Sequence, residues 1–250
     1  MVSSAHHFNR STLIIYLLVA VIIFFAVLTQ TVTGFGIALV SMSLLVQLLG
    51  IHIAAPLVAM VAAMLEFTLL LRHRDALNWR AVWRLSVASV IGIPLGILAL
   101  RYVNERVVLI VLGLVIVTYA AYALITPRLP KIENPSWAFG FGFVAGLLSG
   151  AYNTGGPPVV LYGNSQGWSP SEFKSNLQGL FLLNDIVVIT GHALSQHLTP
   201  AVWSNFWIAL PALALGLAAG FGVERLINPA AFRKIVLLLL IVTALRLILL

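Results

Sequence analysis

Along its polar and apolar positions, the chain is a series of long apolar runs separated by short polar punctuation. Runs at residues 13–29, 53–71, 82–100, 107–125, 202–223 and 235–250 approach or exceed the roughly 18–20 apolar residues that span a hydrocarbon core. Two interruptions are of another kind. Residues 31–36, TVTGFG, and 149–158, SGAYNTGGPP, place helix-breaking residues where a spanning helix should continue. In lipid, an unpaired backbone N–H or C=O costs several kcal/mol, so broken backbone persists only where protein buries it or where it lines a cavity. One such break in each half is the sequence pointer to a transporter's binding site.

Segment A covers residues 12–31, B 35–49, C 53–71, D 81–100 and E 107–125. A Pro-rich linker at 126–136 precedes A′ at 137–152, B′ at 157–162, C′ at 175–194, D′ at 201–223 and E′ at 230–250. The second half repeats the order of the first at a spacing of about 120 residues. Thr33-Gly34 matches Thr154-Gly155, Glu66 and His73 match Asp185 and His192, and Ala81-Val82-Trp83 matches Ala201-Val202-Trp203. Gly92, Gly96 and Asn104 then match Gly216, Gly220 and Asn228. The co-linearity reads as an internal duplication, with repeats at 1–125 and 137–250 in one integral membrane domain.

Loop charge gives the topology. Arg72, Arg74 and Arg80 follow C, Arg128 and Lys131 lie in the linker, and Arg225, Arg233 and Lys234 precede or open E′. The alternate loops at 50–52 and 195–200 hold no Lys or Arg, and 101–106 holds Arg101 and Arg106 with Glu105. Placing the basic set in the cytoplasm puts both termini outside. Each half then has an A/B hairpin, which begins and ends on one side, and three crossings, so the halves point in opposite directions. The expected fold is an all-α polytopic membrane protein of two inverted repeats, each a broken or re-entrant hairpin plus three transmembrane helices, with 8–10 membrane segments in all. B′ is too short to cross at about 1.5 Å per residue; whether the first hairpin crosses fully stays open.

Composition agrees: 61% of residues are hydrophobic and 8% charged, against about 25% charged in soluble domains. The net charge of +7 sits at helix ends rather than in one patch, which argues against nucleic acid as a partner. The absence of cysteine excludes disulfides and thiolate chemistry. His6, His7 and Arg10 precede the first apolar run, but no small-x-small cleavage site follows, so that run is expected to be a retained helix.

The candidate substrate-binding residues are those of the two breaks, Thr33, Gly34, Phe35 and Gly36 with Tyr152, Asn153, Thr154, Gly155 and Gly156, joined by Asn176 and Gln178 at the polar start of C′. Thr and Asn are good N-caps and glycine admits a ligand close to backbone. Two converging helix N-termini offer free N–H groups and partial positive charge, an anion site that needs no lysine or arginine and in which each terminus contributes roughly 0.3–2 kcal/mol. The competing reading is that these glycines only allow close helix packing, as Gly92/Gly96, Gly142/Gly146 and Gly216/Gly220 are expected to do.

Glu66 and Asp185 lie inside C and C′, where an ionised carboxylate costs roughly 3 kcal/mol on insertion scales, so both are candidate proton carriers. His73 and His192 follow seven residues later, on nearly the same helix face, and are candidate relay partners. The plainer alternatives are that Glu66 anchors the membrane edge beside Arg72 or Arg74, that Lys174 snorkels to the interface, and that Arg246 does likewise.

The residues LTQTVTGFGIALVSMSLLVQLLG, RHRDALNWRAVWRLSVASVIGIPLG, AGLLSGAYNTGGPPVVLY and SPSEFKSNLQGLFLLND together resemble the sulfite exporter TauE/SafE family, also called the toluene sulfonate uptake permease family. The resemblance covers nearly the whole chain. It implies a multi-pass permease of a prokaryotic plasma membrane that carries small sulfur-containing anions such as sulfite, thiosulfate or sulfonates. The first break here has fewer glycines than family patterns often carry. The expected function is therefore secondary transport of such an anion by alternating access, with proton coupling open. Expected partners are the anion and membrane lipid, with a homodimer left open and no cofactor or metal. Transport or channel conduction of another small anion, such as a carboxylate, is the alternative. A membrane-embedded enzyme built on Glu66, Asp185, His73 and His192 is a more distant one, since no HExxH or compact ligand cluster is present.

Overall fold

The computed structural model describes residues 10–125, 131–224, 226 and 229–249. His6, His7, Arg128, Arg225 and Asn228 lie outside the described residues, as do the side chains of Arg10, Arg101, Arg233 and Arg246. The described structure is all-helical: α1 (Arg10–Thr33), α2 (Ile37–Leu49), α3 (Ile51–His73), α4 (Trp79–Tyr102), α5 (Glu105–Ile125), α6 (Trp137–Tyr152), α7 (Gly156–Gln166), α8 (Pro170–Leu194), α9 (Pro200–Val223) and α10 (Pro229–Leu249).

Five spans among the described residues are long and apolar enough to cross a bilayer: Thr12–Thr33, Ile51–Ala76, Trp79–Ala99, Pro170–Leu194 and Pro200–Val223. Shorter apolar helices accompany them. With 13 residues, α2 reaches about 20 Å, and α7 with 11 reaches about 16 Å, both well short of the roughly 30 Å core. The first hairpin therefore joins a full-length arm to a short return. In the second neither arm is long enough, since α6 has 16 residues.

Helix starts follow local chemistry. Ser169 accepts from the Glu172 N–H at 3.3 Å ahead of Pro170, the S-x-x-E pattern of a capping box. Thr199 caps α9 before Pro200, and Asn78 caps α4 by accepting from Ala81 N–H at 3.2 Å. Asn78 Nδ2 also donates to Glu172 Oε1 at 3.0 Å, tying the starts of α4 and α8 together.

The helices pack in a pattern that exchanges partners between halves. α1 lies on α9 and α6 on α4; α3 packs on α8 at the centre and α5 on α10 at the margin. The α4–α6 contact is the tightest. A Cβ on Gly142, Gly146 or Gly150 would collide with the backbone of Leu85, Ser89 or Ile93, and one on Gly92 or Gly96 with that of Phe143 or Leu147. Glycine ridges of this kind let helices approach at backbone distance where lipid gives no hydrophobic drive for association. Outward faces carry exposed Leu17, Phe25, Ile91, Leu95 and Leu215, as expected of a lipid-facing surface.

The ridge yields a stability prediction. Gly146→Ala should lower the melting point of purified protein, costing about 1–3 kcal/mol or more by overpacking. Gly140→Ala, where a Cβ meets nothing within 4 Å, should be neutral or slightly stabilising. Equal melting points for the two variants would refute close packing at Gly146.

Candidate transport site

The two breaks meet. A cavity of about 30 Å³ is lined by Gly36 at the end of the first break, by Ile37, Ala38 and Leu39 at the start of α2, and by Ser149, Asn153, Thr154, Gly155 and Gly156 from the second break. Gln30, Ala62, Glu66, Phe181, Asn184 and Asp185 complete its wall. At about 10–15 Å³ per water this is room for roughly two waters.

Each tip is held open by long-range hydrogen bonds. Gln30, near the end of α1, accepts from Ile37 N–H at 3.0 Å and so supplies the cap that α2 lacks locally. Its amide nitrogen donates to Glu66 Oε1 at 3.3 Å and to Gln178 Oε1 at 3.1 Å. Gln178 Nε2 in turn donates to Gly34 O at 2.7 Å. Gly34 and Gly36 have φ of 87° and 116°, conformations that a side chain rarely adopts, so glycine is required for this turn. Opposite, Asn153 takes φ 57° at the C-cap of α6. With its amide oriented to suit its partners, Asn153 Nδ2 donates to Asp185 Oδ1 at 3.2 Å and Oδ1 accepts from Ala59 N–H at 2.9 Å.

Thr33 and Asn153 are therefore not the N-caps that their residue types suggest. The Thr33 hydroxyl turns back to the carbonyls of Thr29 and Phe35, and α2 and α7 start from Gly36 and Gly155. Pro157 and Pro158 carry no N–H, so Gly155 and Gly156 are the backbone donors at the start of α7.

Glu66 and Asp185 face each other from α3 and α8, within hydrogen-bond reach. They are 3% and 5% exposed, which rules out Glu66 as an interface anchor. Arg72 instead lies over the Phe221 ring at 4.3 Å, and Arg74 pairs with Asp75 at 3.8 Å. No donor reaches Glu66 Oε2 or Asp185 Oδ2 from elsewhere among the described residues. One proton held between two carboxyls serves both, because a protonated carboxyl donates and an ionised one only accepts. Thr154 Oγ1 and both amide atoms of Asn184 are also buried without a partner among the described residues, leaving polar capacity at the cavity wall.

Other expected site residues lie apart from this cavity. Thr33 and Phe35 line a larger vestibule at the basic-loop end, with His73 and Lys174. The Lys174 ammonium is held there by Glu224 and by the Thr31 carbonyl. Asn176 Oδ1 accepts from Asn78 N–H at 2.8 Å, a loop-bracing role. Tyr152 is buried in the helix packing. His73 and His192 are at opposite ends of the fold rather than beside the carboxyls: His192 Nδ1 is 3.0 Å from His197 Nδ1, and His197 is near His52. Among the described residues, no group of three or more His, Asp or Glu side chains is arranged to hold a metal ion.

Gln30, Asn184 and Phe181 line the cavity although none was among the expected binding residues. Gln30 had a signal: it is an amide within an apolar run, subject to the same cost argument as Glu66.

Comparison with known proteins agrees with this architecture. The family model described as "Sulfite exporter TauE/SafE" matches residues 19–247. The chain is 29% identical over 217 residues to a protein of Cupriavidus necator described as "Probable sulfite/organosulfonate exporter TauE", a match covering 82% of this chain and 83% of that relative. No solved structure matches. A multi-pass helical chain matched almost end to end by this family is a membrane transporter of the prokaryotic inner membrane and not an enzyme. It belongs to the TauE/SafE sulfite exporter family.

Proposed function

We propose that the protein exports a small sulfur oxyanion, sulfite or a compact sulfonate, by exposing the cavity between the two broken tips alternately to the two sides of the membrane. The observation that carries this reading is the convergence of both breaks on one cavity walled by a carboxyl pair. The helix starts at Gly36 and Gly155, the free hydroxyl of Thr154 and the Asn184 amide offer neutral donors to an oxyanion. The small volume favours sulfite over an aromatic sulfonate. The Cupriavidus necator relative bears the name of a sulfite/organosulfonate exporter, which supports the substrate class.

Two repeats of opposite orientation fit the exchanged packing, in which the first arm of each hairpin lies on the other half's D segment: α1 on α9 and α6 on α4. Such an arrangement gives two gates around one site. The carboxyl pair supplies the coupling. Ionised Glu66 and Asp185 repel an anion a few ångströms away, whereas a protonated pair meets it with an O–H donor. Cargo and proton therefore leave together, and the net negative charge that doubly ionised sulfite retains after taking one proton along is driven outward by the membrane potential.

Asp185→Asn and Glu66→Gln are expected to reduce pH-gradient-driven sulfite accumulation in proteoliposomes by at least about tenfold, while sulfite–sulfite exchange persists. Accumulation that still follows the gradient in both variants sinks the coupling role. Asn153→Gly keeps the left-handed backbone and removes only the amide. Its expected effect is about a tenfold loss in sulfite affinity, near 1.4 kcal/mol, read as a smaller ligand-induced rise in melting point. An undiminished rise would move the site away from this tip, and an equal rise with toluenesulfonate would contradict the size argument.

A further inference from the structure

At the basic-loop end a second, larger space of about 780 Å³ opens beneath the first hairpin. Val32, Thr33 and Phe35 form its roof, and His73, Asn164, Lys174, Glu224 and Lys234 are its polar wall. The turn at residues 33–36 is thus a partition, with Thr33 and Phe35 facing the vestibule and Gly36 facing the inner cavity. Two lysines stand against one carboxylate. Lys174 and Glu224 are ion-paired, with side chains 18% and 27% exposed, so the pair is neither freely hydrated nor sealed in a dry interior.

The Lys174 stem packs under Gly34, where an added Cβ would come within 2.9 Å of Cγ, and its ammonium also donates to Thr31 O at 3.4 Å. Lys174 therefore grips the hairpin tip from below while Gln178, one turn further along α8, grips Gly34 O from within. The Lys174 contact is one that a competing anion can take over.

We propose that this vestibule is a capture site for the transported oxyanion, with Lys174 as its binding group and the Glu224 carboxylate as a resident stand-in that an arriving anion displaces. The assignment rests on the export reading above and names the side from which cargo is first bound. A doubly charged oxyanion outcompetes one carboxylate for the ammonium, and Lys234 adds to the attraction. Its arrival draws Lys174 from Glu224 and loosens its hold on the Thr31 carbonyl, freeing the partition between vestibule and cavity.

The test is radiolabelled sulfite uptake into everted membrane vesicles, which present the basic-loop face to the medium. Glu224→Gln unmasks Lys174 and is expected to lower KM severalfold, whereas Lys174→Gln raises it about tenfold and Lys174→Arg restores it. A merely structural ion pair makes the two neutral variants alike, since each breaks the same bond. Parallel changes or no change in KM, with protein amounts and melting points matched, overturn the capture site while leaving export intact. Wild-type vesicles that accumulate no sulfite overturn the export reading, and the capture site with it.

Discussion

Backbone and side-chain polar groups at membrane depth have no water to turn to, so each must find a partner in protein. The Gln30 amide meets that requirement for three elements at once: the start of α2 through Ile37 N–H, the α3 carboxyl through Glu66, and α8 through Gln178. Removing it orphans a donor and two acceptors in one place. The short α2 can start in mid-membrane because a side chain from the preceding helix takes the role that solvent or a local cap takes in a soluble protein.

The second break solves the same problem differently. Asn153 closes α6 in the left-handed conformation and sends its amide to Asp185 and to the α3 backbone at Ala59. Both tips thereby lean on the central pair α3 and α8, and each of these helices contributes one carboxyl to the cavity. The polar groups that make the breaks tolerable and those that give the cavity its chemistry are largely the same groups. A change to the cavity wall is therefore also a change to what holds the breaks in place.

The sequence made the helical, membrane-spanning character, the two breaks and the unusual placement of Glu66 and Asp185 legible, because each departs from a simple cost rule for lipid. It did not show that Glu66 and Asp185 face each other, since helical periodicity places a residue on a face and not against a partner on a distant helix. Pairing each carboxylate with the histidine seven residues on was reasonable by helical phase. It failed because two turns carry His73 and His192 to the ends of α3 and α8, away from the facing carboxyls. Asn176 and Tyr152 looked like binding residues by type, but type does not distinguish a loop brace or a packed ring from a cavity wall. Gln30 directly precedes the first break, and by position it reads as the end of an apolar run rather than as part of the tip.

The glycine ridge between α4 and α6 has a mechanical side. Where backbone meets backbone there are no rotamers to absorb a small shift, so the joint has almost no compliance. Sliding α6 along α4 requires re-seating several glycines together, by a step of the order of one helical pitch, about 5.4 Å. The depth of the Asn153 tip relative to Ile93 is accordingly set in discrete notches. Continuous yielding is left to joints lined by side chains, such as Gly220 of α9 against Thr31 of α1.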